Sequence, residues 1–189
     1  MSDTQFFTTS LFIVVFIVGY AIVTYNYLVR LRNHIRDAWS NIDTELKRRY
    51  ELIPNLVASI KGYTAHEQEA LERVVTLRNA CMADHGSVEH QESTEKLLVG
   101  AVQNLMAVVE GYPDLKADNN FMQLQMELVN TEDRIQAARR FYNGNVRDYE
   151  NRRESFPGNI VANMFKFEPQ SFFNVDPAVR VAPSIAGVL

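Results

Sequence analysis

The sequence predicts an all-α protein, an N-terminal transmembrane helix continuous with an up-and-down four-helix bundle. Three observations carry this. Residues 4–29 contain no charged side chain, apolar residues downstream recur at steps of three and four, and only 8 glycines and 6 prolines interrupt 189 residues.

The uncharged run comes first. Its centre is wholly apolar: Leu11, Phe12, Ile13, Val14, Val15, Phe16, Ile17 and Val18. A helix rises ~1.5 Å per residue, so the run reaches ~39 Å, enough for a hydrocarbon core of ~30 Å. Phe6 and Phe7 at one end, and Tyr25 and Tyr27 at the other, suit the two interfaces. A cleaved signal peptide needs a basic start, whereas Met1-Ser-Asp-Thr-Gln5 carries only an acid; Gly19-Tyr-Ala21 is a faint small-x-small site. Basic residues cluster on the far side, at Arg30, Arg32 and Arg36 and then Lys47, Arg48 and Arg49. Because basic flanks stay in the cytoplasm, the N-terminus is expected outside and the remainder inside. The expected division is 1–29, external N-terminus and transmembrane helix; 30–156, cytoplasmic helical bundle; and 157–189, a C-terminal tail.

Within the bundle the apolar pattern changes from continuous to periodic. Leu31, Ile35, Ile42, Leu46, Ile53, Val57 and Ile60 lie on one helical face. Nothing from 29 to 53 breaks a helix, so the membrane helix is expected to run on, with a bend at Pro54. Gly62 reads as a stop and Thr64-Ala-His-Glu67 as a capping box for a second helix reaching about residue 82. If Gly62 does not break the chain, the alternative is one very long helix in a three-helix bundle. His85-Gly-Ser-Val-Glu-His90 reads as a polar connector. A third helix carries Leu98, Ala101, Leu105, Val108 and Tyr112, and Gly111-Tyr-Pro-Asp turns the chain. The last helix has the most regular stripe, Phe121, Leu124, Leu128, Thr131, Ile135, Ala138 and Tyr142, then Val146 and Tyr149; Asn120 with Gln123 can cap its start, and Phe156-Pro-Gly158 ends it. The first and last helices inside the cell would each span ~51 Å and the middle two ~30 Å. The tail, with Ile160, Val161, Met164, Phe165, Phe167, Phe172 and Phe173, would then lie near the bilayer, either covering the open end of the bundle or touching lipid.

Composition narrows the function. A hydrophobic content of 47% with 22% charged residues is that of a globular protein, and a net charge of −4 argues against nucleic acid as a partner. The single cysteine, Cys81, excludes an intrachain disulfide and fits a reducing compartment. No nucleophile elbow, phosphate-binding glycine loop, H-E-x-x-H or C-x-x-C occurs. Cys81, His85 and His90 match no zinc spacing, so they read as a solvated connector, and no metal or cofactor is expected. Arg30, Arg32 and Arg36 are candidates for contact with anionic lipid headgroups, although a topology signal explains them equally well. Lys47, Arg48 and Arg49 lie further along the helix and are expected to pair with acids of the last helix, such as Glu127, Glu132 and Asp133. Thr131, in a core position, and Asn55, a candidate cap for the carbonyls freed by Pro54, are either registering groups or tolerated polarity.

Several segments then resemble the LemA family. They are Tyr25-Asn-Tyr-Leu-Val-Arg-Leu-Arg, Ala38-Trp-Ser-Asn-Ile-Asp43, Leu46-Lys-Arg-Arg-Tyr-Glu-Leu-Ile-Pro-Asn-Leu-Val57 and Lys61-Gly-Tyr63. Further along come Gly111-Tyr-Pro-Asp-Leu-Lys-Ala117, Thr131-Glu-Asp-Arg-Ile135, Ala138-Arg-Arg-Phe-Tyr-Asn143 and Ser155-Phe-Pro-Gly-Asn159. The resemblance spans about 25–173 and is weakest at 81–95. It implies a bacterial inner-membrane protein with one anchor, a cytoplasmic helical bundle and no catalytic residues. It also implies kinship with a protein of magnetosome membranes and with proteins encoded near zinc-dependent membrane proteases. The expected function is a non-catalytic, membrane-anchored scaffold or interaction protein that contacts the bilayer and forms homo-oligomers. The alternative is an adaptor or regulator with a membrane-protein partner, such as a zinc-dependent membrane protease.

Overall fold

The structure, a computed structural model, describes residues 3–64, 67–84 and 86–173. Its elements are α1 (Asp3–Lys61), α2 (Gln68–Ala83), α3 (Val88–Val109), α4 (Pro113–Lys116), α5 (Asn119–Glu154) and α6 (Gly158–Met164). α1 and α5 form a long antiparallel pair, in which Arg152 meets Thr24, Trp39 meets Tyr142 and Arg49 meets Glu132. α2 and α3 form the shorter hairpin, which joins α1 through α2. The chain is all-α, and its first helix passes without interruption from the apolar run into the bundle.

The heptad-like face of α1 is the spine of the core. Leu28, Leu31, Ile35, Ala38, Ile42, Leu46, Ile53, Leu56 and Ile60 are buried, with Val57 only partly so. Their steps of three, four and seven are the spacing that keeps one stripe in register with a partner helix. Opposite them α5 buries Phe121, Thr131, Ile135, Tyr142, Val146 and Tyr149. Thr131 donates to the Glu127 carbonyl (2.8 Å), so its hydroxyl is satisfied within its own helix.

The helix ends differ from the sequence expectation in instructive ways. α1 does stop at Lys61, but Thr64 donates back to the Ile60 carbonyl (3.2 Å) and so serves the end of α1 rather than the start of α2. α2 begins at Gln68 after Glu67, whose side chain makes no cap; the carboxylate accepts instead from the Tyr112 hydroxyl (3.2 Å). α5 is capped by Asp118, which accepts from the Phe121 N–H at 2.9 Å, two positions earlier than the expected Asn120. An aspartate with β-region backbone suits this position because its oxygen replaces a missing helix carbonyl. The turn after α3 contains a short helix, α4, started by Pro113 and pinned by buried Leu115.

Pro54 sits inside α1 and removes the N–H that Tyr50's carbonyl would accept. Arg78 of α2 supplies the missing donor, its Nε lying 2.8 Å from that carbonyl, while Asn55 is exposed and takes no part. An adjacent helix can reach the freed group directly, whereas a neighbouring residue on the same helix points away from it. Arg78→Met, which keeps the stem and deletes the charged donor, is expected to destabilise the bundle by about 1.5–3 kcal/mol in chemical unfolding. A change below about 0.5 kcal/mol would show that water serves the carbonyl equally well.

Candidate functional site

The apolar run stands clear of the bundle. Residues 5–19 are all exposed, including Leu11, Phe12, Ile13, Val14, Val15, Phe16, Ile17 and Val18. Packing begins at Tyr20 and Ala21, and Thr24 and Leu28 are fully covered, so the bundle starts several residues before position 30. Arg30 and Arg36 are exposed. Arg32 is half-buried, with its guanidinium 5.6 Å from the Phe167 ring, so part of it is committed to the tail. Arg152, which the sequence does not single out, donates to Thr24 Oγ1 (3.2 Å) and lies over the Tyr27 ring (5.7 Å). Tyr25 packs edge-on against Phe165 (4.8 Å) and Phe167 (5.5 Å). The emerging end of α1, the end of α5 and the tail therefore meet in one collar.

The tail covers the bundle as a strap. Tyr149 and Tyr142 donate to the carbonyls of Glu168 (2.7 Å) and Ser171 (2.9 Å), and Glu150 accepts from the Gln170 N–H (2.6 Å). The Asn143 side-chain amide pairs with both backbone groups of Phe173, at 2.7 and 2.8 Å. The strap thus ends with Phe173 fully buried beside Trp39 and under Arg139. Residues 174–189 lie outside the described residues.

A second cluster lies deep in the bundle. Arg49 pairs with Glu95 of α3 and, at 2.9 Å, with Glu132 of α5; Tyr50 donates to the other oxygen of Glu95. Arg49 and Glu95 are almost wholly buried, so each charge needs the other. Burial holds the Tyr50 phenol well above its ordinary pKa, keeping it a neutral donor, and lowers that of Arg139 nearby. The expected partnership of Arg49 with Glu132 is found; Lys47 instead pairs locally with Asp43 at 2.7 Å. Glu95 was hidden within a polar-looking segment. The signal that exposes it is the α3 stripe read backwards: Val109, Leu105, Val102 and Leu98 step by three and four to Glu95 and then Gln91, both buried.

The connector also differs from expectation. Cys81 is not solvated but buried within α2, because a neutral thiol behaves as a small apolar side chain. Asp84 organises the turn, accepting from the Gly86 N–H (2.9 Å) and from Thr94 Oγ1 (3.0 Å), with His90 Nδ1 at 2.7 Å; His85 lies outside the described residues. Among the described residues no group of three His, Cys, Asp or Glu side chains is placed to hold a metal ion. Desolvation pushes the Cys81 thiol up to about 11, which leaves very little thiolate at neutral pH. Maleimide labelling of the folded protein should therefore run at least ~100-fold slower than in denaturant, a factor that two pKa units alone supply. Comparable rates would mean that α2 opens readily from the bundle.

A groove of about 540 Å3 opens between α3 and α5, walled by Leu98, Val102, Met106, Phe121, Leu128 and Val129, with Arg49 and Glu132 also reaching it. The sequence that builds these helices matches a known family. The LemA family model fits residues 38–186, which is most of the chain and includes the whole bundle after the first turns of α1 below the apolar run. The chain belongs to the LemA family. It is 26% identical over 160 residues to Protein LemA of Metamycoplasma hominis, covering 82% of this chain and 71% of that one. It is also 25% identical over 190 residues to Magnetosome protein MamQ 2 of Paramagnetospirillum magneticum, covering 87% and 70%. Magnetosome protein MamQ of Magnetospirillum gryphiswaldense is 24% identical over 182 residues, covering 83% and 67%. Together with the exposed apolar helix, these relationships make the chain a membrane-associated LemA family protein.

Proposed function

We propose that this LemA family chain is a non-catalytic scaffold. In this reading α1 spans the bacterial inner membrane with its N-terminus outside, and the bundle displays binding surfaces in the cytoplasm. The observation that carries the proposal is the single helix α1, which is lipid-like on its surface at 5–19 and becomes the spine of the core from Leu28. A domain fused to its anchor without a linker is held at a fixed height above the bilayer, which suits a platform better than a tethered enzyme. Arg30, Arg32 and Arg36 follow the apolar run, and their position supports the orientation. The exposed Met122, Met126 and Val129 of α5 recur at steps of four and three, a stripe through which copies of the chain could associate.

A second reading, an adaptor for a membrane enzyme, is favoured by the apolar groove between α3 and α5, which would accept a segment of another protein. Cross-linking in native membranes, followed by gentle extraction and measurement of particle mass and composition, separates the two. A large particle containing only this chain supports the scaffold. One recurrent heterologous partner at fixed stoichiometry supports the adaptor, and a monomer at micromolar concentration excludes self-association.

A further inference from the structure

The corner between α5 and α6 carries an apolar surface that the bundle does not use. Phe156 is 80% exposed, Ile160 53% and Met164 68%, while the half-exposed Phe165 rests on Tyr25. Yet the opposite side of α6 is apolar too, with Val161 and Ala162 buried against the bundle. A short helix that shows apolar side chains outward as well as inward, with Asn163 also exposed, suits a boundary where apolar chains and water meet.

The level of this corner along α1 identifies that boundary. Arg152, in the last turn of α5, is bonded to Thr24 and so fixes where α5 ends. From Phe6 to Val23 the first helix rises ~26 Å, close to a hydrocarbon thickness, so Thr24 stands at the boundary. α5 runs antiparallel to α1 and ends at Glu154, so the corner that follows is level with this boundary, between the contacts of Arg152 with Tyr20 and Thr24 and that of Phe165 with Tyr25. The corner is tightly built: Gly158 approaches the Arg152 carbonyl so closely that a Cβ there would lie 2.5 Å from it. α6 then closes with the Phe167 N–H bonded to the Ala162 carbonyl (2.9 Å) and the Lys166 N–H to that of Asn163 (3.3 Å). This cap puts Lys166 at φ 53°, a conformation in which glycine is less strained, and leaves its side chain exposed. An ammonium directed at the headgroup region is a use for that position which glycine cannot supply.

We infer that the α5–α6 corner is a second lipid-contacting element, immersed in the interface of the leaflet from which α1 emerges, with Phe156, Ile160 and Met164 among the acyl chains and Lys166 at the headgroups. It rests on the reading of α1 as the membrane anchor. The two contacts together fix the rotation of the bundle about α1, which one helix alone leaves free.

Tryptophan placed at single exposed positions tests this in the full chain, reconstituted in vesicles of about three parts phosphatidylcholine to one of phosphatidylglycerol, the phosphatidylcholine being a mixture brominated high on its acyl chains and near their ends. Phe156→Trp and Met164→Trp probe the corner, Val15→Trp the anchor and Met122→Trp the far end; resident Trp39 serves as the unquenched background. The expected result is loss of about half the added emission at Phe156→Trp, Met164→Trp and Val15→Trp, with under about a tenth lost at Met122→Trp. If Val15→Trp is quenched while both corner variants behave like Met122→Trp, the corner faces water and this inference is overturned, leaving the anchor intact. If Val15→Trp is not quenched, the anchor reading fails and takes the inference with it.

Discussion

Glu95→Ala is expected to lower the stability of the bundle by about 3–5 kcal/mol, the loss typical when one member of a buried ion pair is removed. The carboxylate is completely covered and both of its oxygens are used, one by Arg49 and one by the Tyr50 hydroxyl. Without it, Arg49 retains only Glu132, and the Tyr50 hydroxyl loses its acceptor in the interior. Glu95→Gln preserves the shape and an acceptor while removing the charge, so its cost should fall between that of alanine and none. The triple replacement of Arg49, Glu95 and Glu132 by Met, Leu and Leu should recover most of the loss, because the desolvation of the charges then disappears with them. Urea unfolding of the detergent-solubilised chain, followed by Trp39 fluorescence, supplies the measurement. A loss below about 1 kcal/mol for Glu95→Ala would mean that water reaches the cluster and screens Arg49.

Phe173→Ala is expected to cost a comparable amount, about 3–5 kcal/mol, although Phe173 is the last of the described residues and lies outside every helix. Its ring is fully buried, 5.6 Å from that of Trp39 and 4.5 Å from the guanidinium carbon of Arg139. Truncation opens a cavity between α1 and α5 and removes the aromatic face over a cation that is itself largely desolvated. Because Trp39 forms one wall, its emission should shift to the red in the folded variant, a readout independent of the unfolding midpoint. Asn143→Ala keeps the ring but deletes both hydrogen bonds that hold its backbone; it should loosen the strap and produce the same shift at smaller cost. An unchanged Trp39 spectrum in Phe173→Ala would show that the strap is detached in solution.

Much of this fold was legible because apolar periodicity reports directly on burial. The α1 stripe from Leu31 to Ile60, the α5 stripe through Tyr142 and Tyr149, and the stop at Lys61–Gly62 required only spacing and a breaker. The stripe fails as a guide where a core position is charged. Glu95 and Arg139 sit at inward positions of their helices, but the residue types point the eye to solvent, and only their partners explain why they are inside. Helix caps were misplaced for a different reason. Thr64 bonds back to α1 and Asp118 takes the cap expected of Asn120, choices that depend on chain geometry which sequence spacing does not encode. The tail divides its apolar residues, since Val161, Phe167 and Phe173 pack inward while Ile160, Met164 and Phe172 remain uncovered. A count of apolar residues cannot divide them between two destinations.

The unbroken α1 also makes the protein a lever. From Val23 to Lys61 the helix extends ~57 Å beyond the apolar run, stiffened along most of that length by α5. A tilt of ~10° within the bilayer would sweep its far end sideways by ~10 Å, and tilt is how a transmembrane helix accommodates a change in membrane thickness. Thinner or thicker bilayers would thus be translated into lateral displacement of the α1–α2 turn, well beyond the reach of the lipids themselves.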